Sequence, residues 1–422
     1  MNGTIQFVSK LSFIVCLFVI LFSYAMFQGG FVSWFLFFSF LPIFLYHIAL
    51  LFYPIGKWEV NRQLSGHVVK AGDRVSVTIR IIRRMPFPLY YCICEEVFPD
   101  SLNKIDSYKE KYHYFDQPEK LNVQRKIKKI VFPWFRRTIE FPYVIEQIPR
   151  GEHQLQAVRI KTGDVFGMVK KEHIFQVSDE LIVYPNERPI RLLEQVSSYE
   201  QGSTPTYSVN TNNTNMVTGI REYIPGDKFT WIDWKQTAKK NTMMTKEFEQ
   251  EKSTDTLIVL DNCQEGSTNI IAYEAAIEVA FSLINTMQQQ ASQVGFLIVG
   301  EKMPFFAVHQ DPAQKDLVRK QLTRIQPSLN TQFAVKLREV SMTVARDNVV
   351  MIITTNLNEA FVQSLRRMMQ RAKRVIVLFI QSASKVTKQE HAIIQQLKIE
   401  GVVITNLSEE QLTQNTIEVS IT

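Results

Sequence analysis

The sequence predicts a multidomain protein: a two-helix transmembrane hairpin, an all-β sandwich, and an α/β domain with a mostly parallel sheet. Three patterns carry that expectation. Two long apolar runs without a formal charge, 11–27 and 31–52, stand near the start of the sequence. Between about residues 60 and 185, polar and apolar residues alternate in short β-branched segments, the period of half-buried strands. From about residue 255 onward, wholly apolar strands alternate with helical patterns, which indicates a parallel sheet covered on both faces. A length of 422 residues also requires more than one core, since single cores rarely grow past about 250–300 residues.

Each apolar run approaches or exceeds the roughly 17–25 residues that cross a bilayer as a helix. Only Gln28, Gly29 and Gly30 separate them, so the pair reads as a hairpin. A signal peptide is the competing reading, but Ser23, Tyr24 and Ala25 make a poor cleavage site and a second run follows at once. Lys10 precedes the first run and Lys57, Arg62, Lys70, Arg74, Arg80, Arg83 and Arg84 follow the second, while the turn carries no charge. By the positive-inside rule, both termini and the soluble domains are expected in the cytoplasm. The net charge of +7 then favours an anionic inner leaflet, by about 1 kcal/mol per well-placed base. Membrane lipid is therefore an expected partner. Nucleic acid is not, because the charge excess is modest and no nucleic-acid motif is present.

Cys16 lies in the first run, Cys92 and Cys94 share one face of a strand, and Cys263 stands alone. None has zinc-ligand spacing. Four buried, reduced thiols are expected, in keeping with cytosolic exposure.

Strands are expected over 73–82, 89–94, 137–145, 153–160 and 180–184, spaced as in a β-sandwich. The stretch holding Arg125, Lys126, Lys128, Lys129, Phe132, Trp134, Phe135, Arg136 and Arg137 is both basic and aromatic. It admits three readings: a hairpin with one solvated face, contact with lipid headgroups, or stacking on single-stranded nucleic acid. Residues 197–214 are rich in Ser, Thr, Asn and Gln and read as a linker. Farther on, strands are expected at 256–261, 294–300, 349–354, 374–380 and 402–405, with helices at 273–289, 314–325, 333–345, 357–372 and 390–399. The expected boundaries are a hairpin over 1–56, a sandwich over 57–190, a linker over 191–215, a charged segment over 216–252 and an α/β domain over 253–422.

In that charged segment Arg221, Glu222, Asp227, Asp233, Lys235, Lys239 and Lys240 surround Trp231, Trp234 and a turn at Pro225 and Gly226. Charges of both signs interleaved with aromatics rarely serve a plain core, and Trp and Arg dominate binding hot spots. Opposite charges close in sequence usually pair, which favours a structural or partner-binding network. Two alternatives stand beside it. One is an anion site clamped by Arg221 and Lys239; the other is a hydrolase with Asp227 or Asp233 as base. The order Arg221, Tyr223, Gly226, Asp227, Ile232, Trp234, Ala238, Lys239, followed by Lys246 and Glu247, resembles the signature of the domain-of-unknown-function 58 family. Arg150 and Gly151, the turn from Gly163 to Gly167, and Val183 to Pro185 look like landmarks of that family's Ig-like sandwich.

The C-terminal region resembles a von Willebrand factor A domain, where a divalent cation is held by Asp-x-Ser-x-Ser after the first strand. The matching positions here are Asp261, Cys263 and Glu265, with Thr331 on a second loop and Thr354 at the end of a third strand. A thiol is a poor ligand for a hard cation that prefers oxygen, so this site reads as degenerate and no metal or other cofactor is expected. No nucleophile elbow, phosphate loop or zincin helix is present. The histidines (His47, His67, His113, His153, His173, His309 and His391) are scattered. No enzymatic activity is expected. The resemblance implies a membrane-anchored scaffold that works with a MoxR-type AAA+ ATPase and a membrane protein bearing a transglutaminase-like domain.

Overall fold

The structure, a computed structural model, describes residues 2–193, 217–224, 232–248, 256–264, 269–289, 293–308, 312–329, 331–343 and 348–421. Gly226, Asp227, Trp231, Glu265 and most of the expected linker lie outside them. The chain forms two compact units: Met1–Asn186 with Lys320–Arg324, and Glu187–Arg319 with Ile325–Thr422.

The first unit begins with α1 (Asn2–Gln28) and α2 (Phe31–Phe52). The chain reverses at Gly29, whose φ of +57° suits a residue without a Cβ. Phe18 packs against Phe37 and Phe44 between the helices, at ring separations of 5.5 and 5.6 Å. Their outer faces leave Phe13, Val19, Ile20, Phe35 and Phe40 exposed, an apolar surface of the kind that marks a membrane or protein contact. Both helices are long and apolar enough to span a membrane. Cys16, expected to be buried, lies on this exposed face, because its helical position points away from the α1–α2 seam.

Eight strands follow: β1 (Glu59–Leu64), β2 (Val68–Lys70), β3 (Val75–Ile82), β4 (Tyr91–Val97), β5 (Lys128–Val131), β6 (Thr138–Ile145), β7 (Gly151–Gly163) and β8 (Lys170–Tyr184). They form a three-stranded sheet, β1-β3-β6, and a five-stranded mixed sheet, β2-β8-β7-β4-β5. Period-2 patterning decides which side chains meet. Val75, Val77, Ile79 and Ile81 of β3 share one buried cluster with Ile139 and Phe141 of β6 and with Cys92, Val158, Ile160 and Leu181 of the larger sheet. β8 is much longer than the expected 180–184 strand. Its first half shows mostly exposed or half-exposed residues and so lacks the apolar alternation, yet it pairs with β7 from Lys170 onward.

The second unit opens with β9 (Ile190–Leu193), which pairs in parallel with the last strand of the chain. β10 (Val217–Glu222), α3 (Trp234–Lys240) and β11 (Met244–Phe248) come next. The α/β body then runs β12 (Thr256–Asp261), α4 (Ile270–Gln289), β13 (Val294–Val299), β14 (Phe305–Val308), α5 (Pro312–Arg324), α6 (Phe333–Thr343), β15 (Val349–Thr354), α7 (Glu359–Met369), β16 (Arg374–Ile380), α8 (Lys388–Ile399), β17 (Val403–Leu407), α9 (Glu409–Thr413) and β18 (Ile417–Ser420). The sheet order is β14-β13-β12-β15-β16-β17, parallel except for the edge strand β14. Leu257, Val259, Val350, Ile352, Val375 and Val377 face α6, α7 and α8. The alternate residues, Ile258, Leu260, Met351 and Ile353, are equally buried, and α4 packs along β12, β13, β15 and β16. α4 has the length and apolarity of a membrane span, but 83% of its apolar window is buried within the fold, so it is a core helix.

Candidate functional site

β10 and β11 form an antiparallel ribbon in which Arg221 lies opposite Thr245 and Glu222 opposite Met244. Ile232 bridges back to Thr245, which brings the chain to Asp233 at the start of α3. Asp233 caps that helix: its Oδ1 accepts the N–H groups of Lys235 and Gln236, both at 3.1 Å. Asn241, with φ at +57°, ends it. Thr237 ties the helix to the ribbon, its hydroxyl accepting Met244 N–H at 3.0 Å. Ile232 and Met244 are buried beneath.

The expected residues thus divide. Asp233 has a local structural partner and makes no ion pair with a described base; its carboxylate is engaged by the helix N-terminus. The Trp234 ring is 66% exposed, on the outside of this small module. Lys235, Lys239 and Lys240 are exposed on the same short helix, while Arg221, Tyr223 and Lys246 are partly buried on and beside the ribbon.

A second cluster lies where the sheet order reverses. β12 is flanked by β13 and β15, and in such sheets ligands sit beyond the carboxyl ends of the strands at this switch point. Asp261 closes β12 and Thr354 closes β15. The Thr354 hydroxyl donates to Asp261 Oδ2 at 2.7 Å, and Oδ1 accepts Cys263 N–H at 2.9 Å. Asn262 accepts from the Tyr273 hydroxyl at 2.6 Å and donates to Ser328 Oγ at 3.1 Å. Gly300 permits this crowding, because a Cβ there would stand 2.7 Å from Ser328 Oγ. The Cys263 thiol turns to the Val299 carbonyl. Thr331 is half-exposed on its loop. Among the described residues, no three His, Cys, Asp or Glu side chains are grouped to share a cation. Among the described residues of the site Asp261 is the one carboxylate, and with both oxygens already accepting it does not by itself fit the oxygen-rich shell of a hard divalent ion.

Two polar arrangements of the first unit escaped the sequence reading. Arg62 and Glu96 pair inside the sandwich at 2.6 Å. The alternation of β1 places Arg62 on the face of Val60 and Leu64, a detectable signal. The ring of His47 in α2 meets Asp164 at 3.1 Å, a contact across 117 residues for which no local pattern exists.

These features define a protein with an apolar helical hairpin, a two-sheet strand-rich body and an α/β unit. Residues 219–388 match the family described as "Protein of unknown function DUF58". The chain is 33% identical over 302 residues to the "Uncharacterized protein YeaD" of Bacillus subtilis (strain 168), covering 71% of each sequence. It belongs to the DUF58 family. Likeness to solved structures is slight. The PilB minor pilin of Streptococcus sanguinis aligns with 77% of this chain and 85% of its own at 6% identity, with a TM-score of 0.29. A CARDB domain from Pyrococcus furiosus aligns with 30% of this chain and 92% of its own at 6% identity, with a TM-score of 0.18. Neither overlap defines a common fold.

Proposed function

We propose that this chain is a membrane-anchored scaffold whose α3 module docks a protein partner. The observation that carries the reading is Trp234, 66% exposed on a helix that Asp233 caps and Thr237 fastens to its ribbon. A large ring held outward on a fixed support, on a helix that also carries exposed Lys235, Lys239 and Lys240, has the chemistry of an interface hot spot. The partner class implied by the family resemblance is a MoxR-type AAA+ ATPase, acting beside a transglutaminase-like membrane protein. The hairpin crosses the bilayer twice, and basic residues flanking it at Lys10 and after Phe52 favour cytoplasmic termini and soluble units. The sandwich is of Ig-like type and the α/β body is von Willebrand factor A-like; the reversal of sheet order at β12 and the antiparallel edge strand β14 support the latter.

Capture from detergent-solubilised membranes tests this proposal. Wild-type chain should retain an ATPase that Trp234→Ala loses. Substrate turnover by the purified chain, abolished in Asp227→Ala, would instead establish the hydrolytic alternative.

A further inference from the structure

Two loops at one end of the sandwich, 83–90 and 164–169, lie against α2, and a third, 132–137, is bridged to the first where Leu89 pairs with Trp134. The Tyr46 hydroxyl donates to the Pro88 carbonyl at 3.1 Å, and its ring stacks on Phe87 at 5.6 Å. The His47 ring stacks on Phe166 at 6.0 Å while its Nε2 meets Asp164. The Tyr53 hydroxyl reaches the Met85 carbonyl at 2.7 Å. At 1.5 Å per residue, contacts at Tyr46 lie about 9 Å along the helix from its end at Phe52.

The tips of these loops are apolar and face outward. Met85 is 67% exposed, Trp134 58%, Phe135 62% and Phe166 65%. Trp134 is held with φ at +45°, a strained backbone for a bulky residue. Bases stand beside them: Arg84, Arg136, Arg137 and Lys170 are all exposed.

Several of their backbone groups have protein partners. Asp164 accepts the N–H groups of Phe166, Met168 and Val169 at 2.9, 3.3 and 2.6 Å. The buried guanidinium of Arg83 donates to the carbonyls of Phe87, Trp134 and Arg136 at 2.9, 3.0 and 2.8 Å. Irregular backbone is tolerated at membrane depth only where its polar groups find protein partners. Aromatic tips with flanking bases match the composition of the bilayer interface.

We infer that these loops form a collar that enters the lipid leaflet beside α2, with Met85, Trp134, Phe135 and Phe166 at the headgroup–acyl boundary and the neighbouring bases on lipid phosphates. The apolar surface of the hairpin continues onto the collar, and phospholipid is its occupant. The hydrogen bond to Asp164 covers His47, which would otherwise present a polar ring to hydrocarbon. This inference rests on the proposed membrane insertion of the hairpin.

The test uses the full chain carrying Cys16→Ser, reconstituted in phosphatidylcholine–phosphatidylglycerol vesicles. An environment-sensitive fluorophore is attached at Phe166→Cys, Trp134→Cys, Val19→Cys in the hairpin, or Val68→Cys, which pairs with the far end of β8. Nitroxide lipids labelled near the headgroup or at the chain end act as quenchers. The collar labels should shift to the blue and lose emission to the shallow quencher, the Val19 label should lose it to the deep one, and the Val68 label should lose neither. Collar labels that behave like Val68 while Val19 is quenched overturn the collar and leave the hairpin reading intact. An unquenched Val19 label overturns the membrane reading and the collar together.

Discussion

Arg62 donates to Glu96 across 2.6 Å with both side chains cut off from solvent. The same guanidinium serves the carbonyls of Leu155 and Val177 and the Asp179 carboxylate at 3.0, 2.7 and 3.0 Å. The Tyr143 hydroxyl closes the network on Glu96 Oε2 at 2.6 Å. Burial pushes the Glu96 carboxyl above its ordinary value, and Arg62 and Tyr143 pull it back only in part. Removing one partner of a buried pair leaves an uncompensated charge. Arg62→Ala should therefore cost about 3–5 kcal/mol, whereas Arg62→Met combined with Glu96→Leu should recover most of that loss. Urea denaturation of the sandwich in detergent checks both, and equal melting of wild type and Arg62→Ala would contradict the network's role.

Trp234 and Asp233 are neighbours with opposite expected effects. Asp233→Ala removes a helix cap and should lower the stability of the α3 module by about 1 kcal/mol. A buried Trp234 ring would cost about 3–5 kcal/mol on truncation, but this ring is exposed. Trp234→Ala should therefore stay within about 0.5 kcal/mol of wild type while losing the partner. Hydrogen exchange at α3 and capture of the ATPase, measured on the same two variants, separate the roles.

The pH response of the first unit should report on Asp164. Burial raises its pKa, but hydrogen bonds from Val169 N–H, the His47 ring and Met168 N–H outweigh burial and leave it lowered. A lowered folded value means a contribution that is full above the ordinary carboxyl value of 3.8 and is lost as pH falls through the folded value. The stability gap between wild type and Asp164→Asn should thus be present above pH 3.8 and close in acid below it. A gap that widens in acid would reverse the assignment.

Thiol chemistry should follow burial. Desolvation pushes the Cys92 thiol up to about 12, so little thiolate exists near neutral pH. Cys94 and Cys263 are also buried, while Cys16 is exposed on the hairpin. A maleimide should leave Cys92, Cys94 and Cys263 unmodified in native protein and react with all three only after denaturation, while Cys16, facing lipid in the proposed span, lacks the water that thiolate formation needs. Mass mapping of the modified peptides reads the result.

The parts of the fold most legible in the sequence are those fixed by local apolar runs. Val349–Thr354 and Arg374–Ile380 have the expected bounds because each is a continuous apolar run buried on both faces. The first half of β8, the short edge strand β14 and the pairing of β9 with β18 were not legible. Each is set by a partner strand rather than by its own periodicity. At Asp233, residue identity pointed to charge pairing, whereas chain direction sets its local partner: Asp233 precedes a helix, and the N–H groups of that helix engage its carboxylate. His47 and Asp164 meet only because the whole sandwich folds between them.

The switch point between β12 and β15 yields the last prediction. Both carboxylate oxygens of Asp261 accept hydrogen bonds, one of them from the Thr354 hydroxyl at 2.7 Å. A hard cation would have to displace these donors and find further oxygens where Cys263 offers sulfur. Thr354→Val should leave the buried carboxylate short of a donor and cost about 1–3 kcal/mol. Millimolar Mg²⁺ should leave the melting temperature of the wild-type protein unchanged. A ligand that binds only the native state stabilises it by mass action, about 2.7 kcal/mol at a hundredfold excess over its dissociation constant. A rise of several degrees with Mg²⁺ that vanishes in Asp261→Ala would therefore identify a working cation site and refute the structural role assigned to this pair.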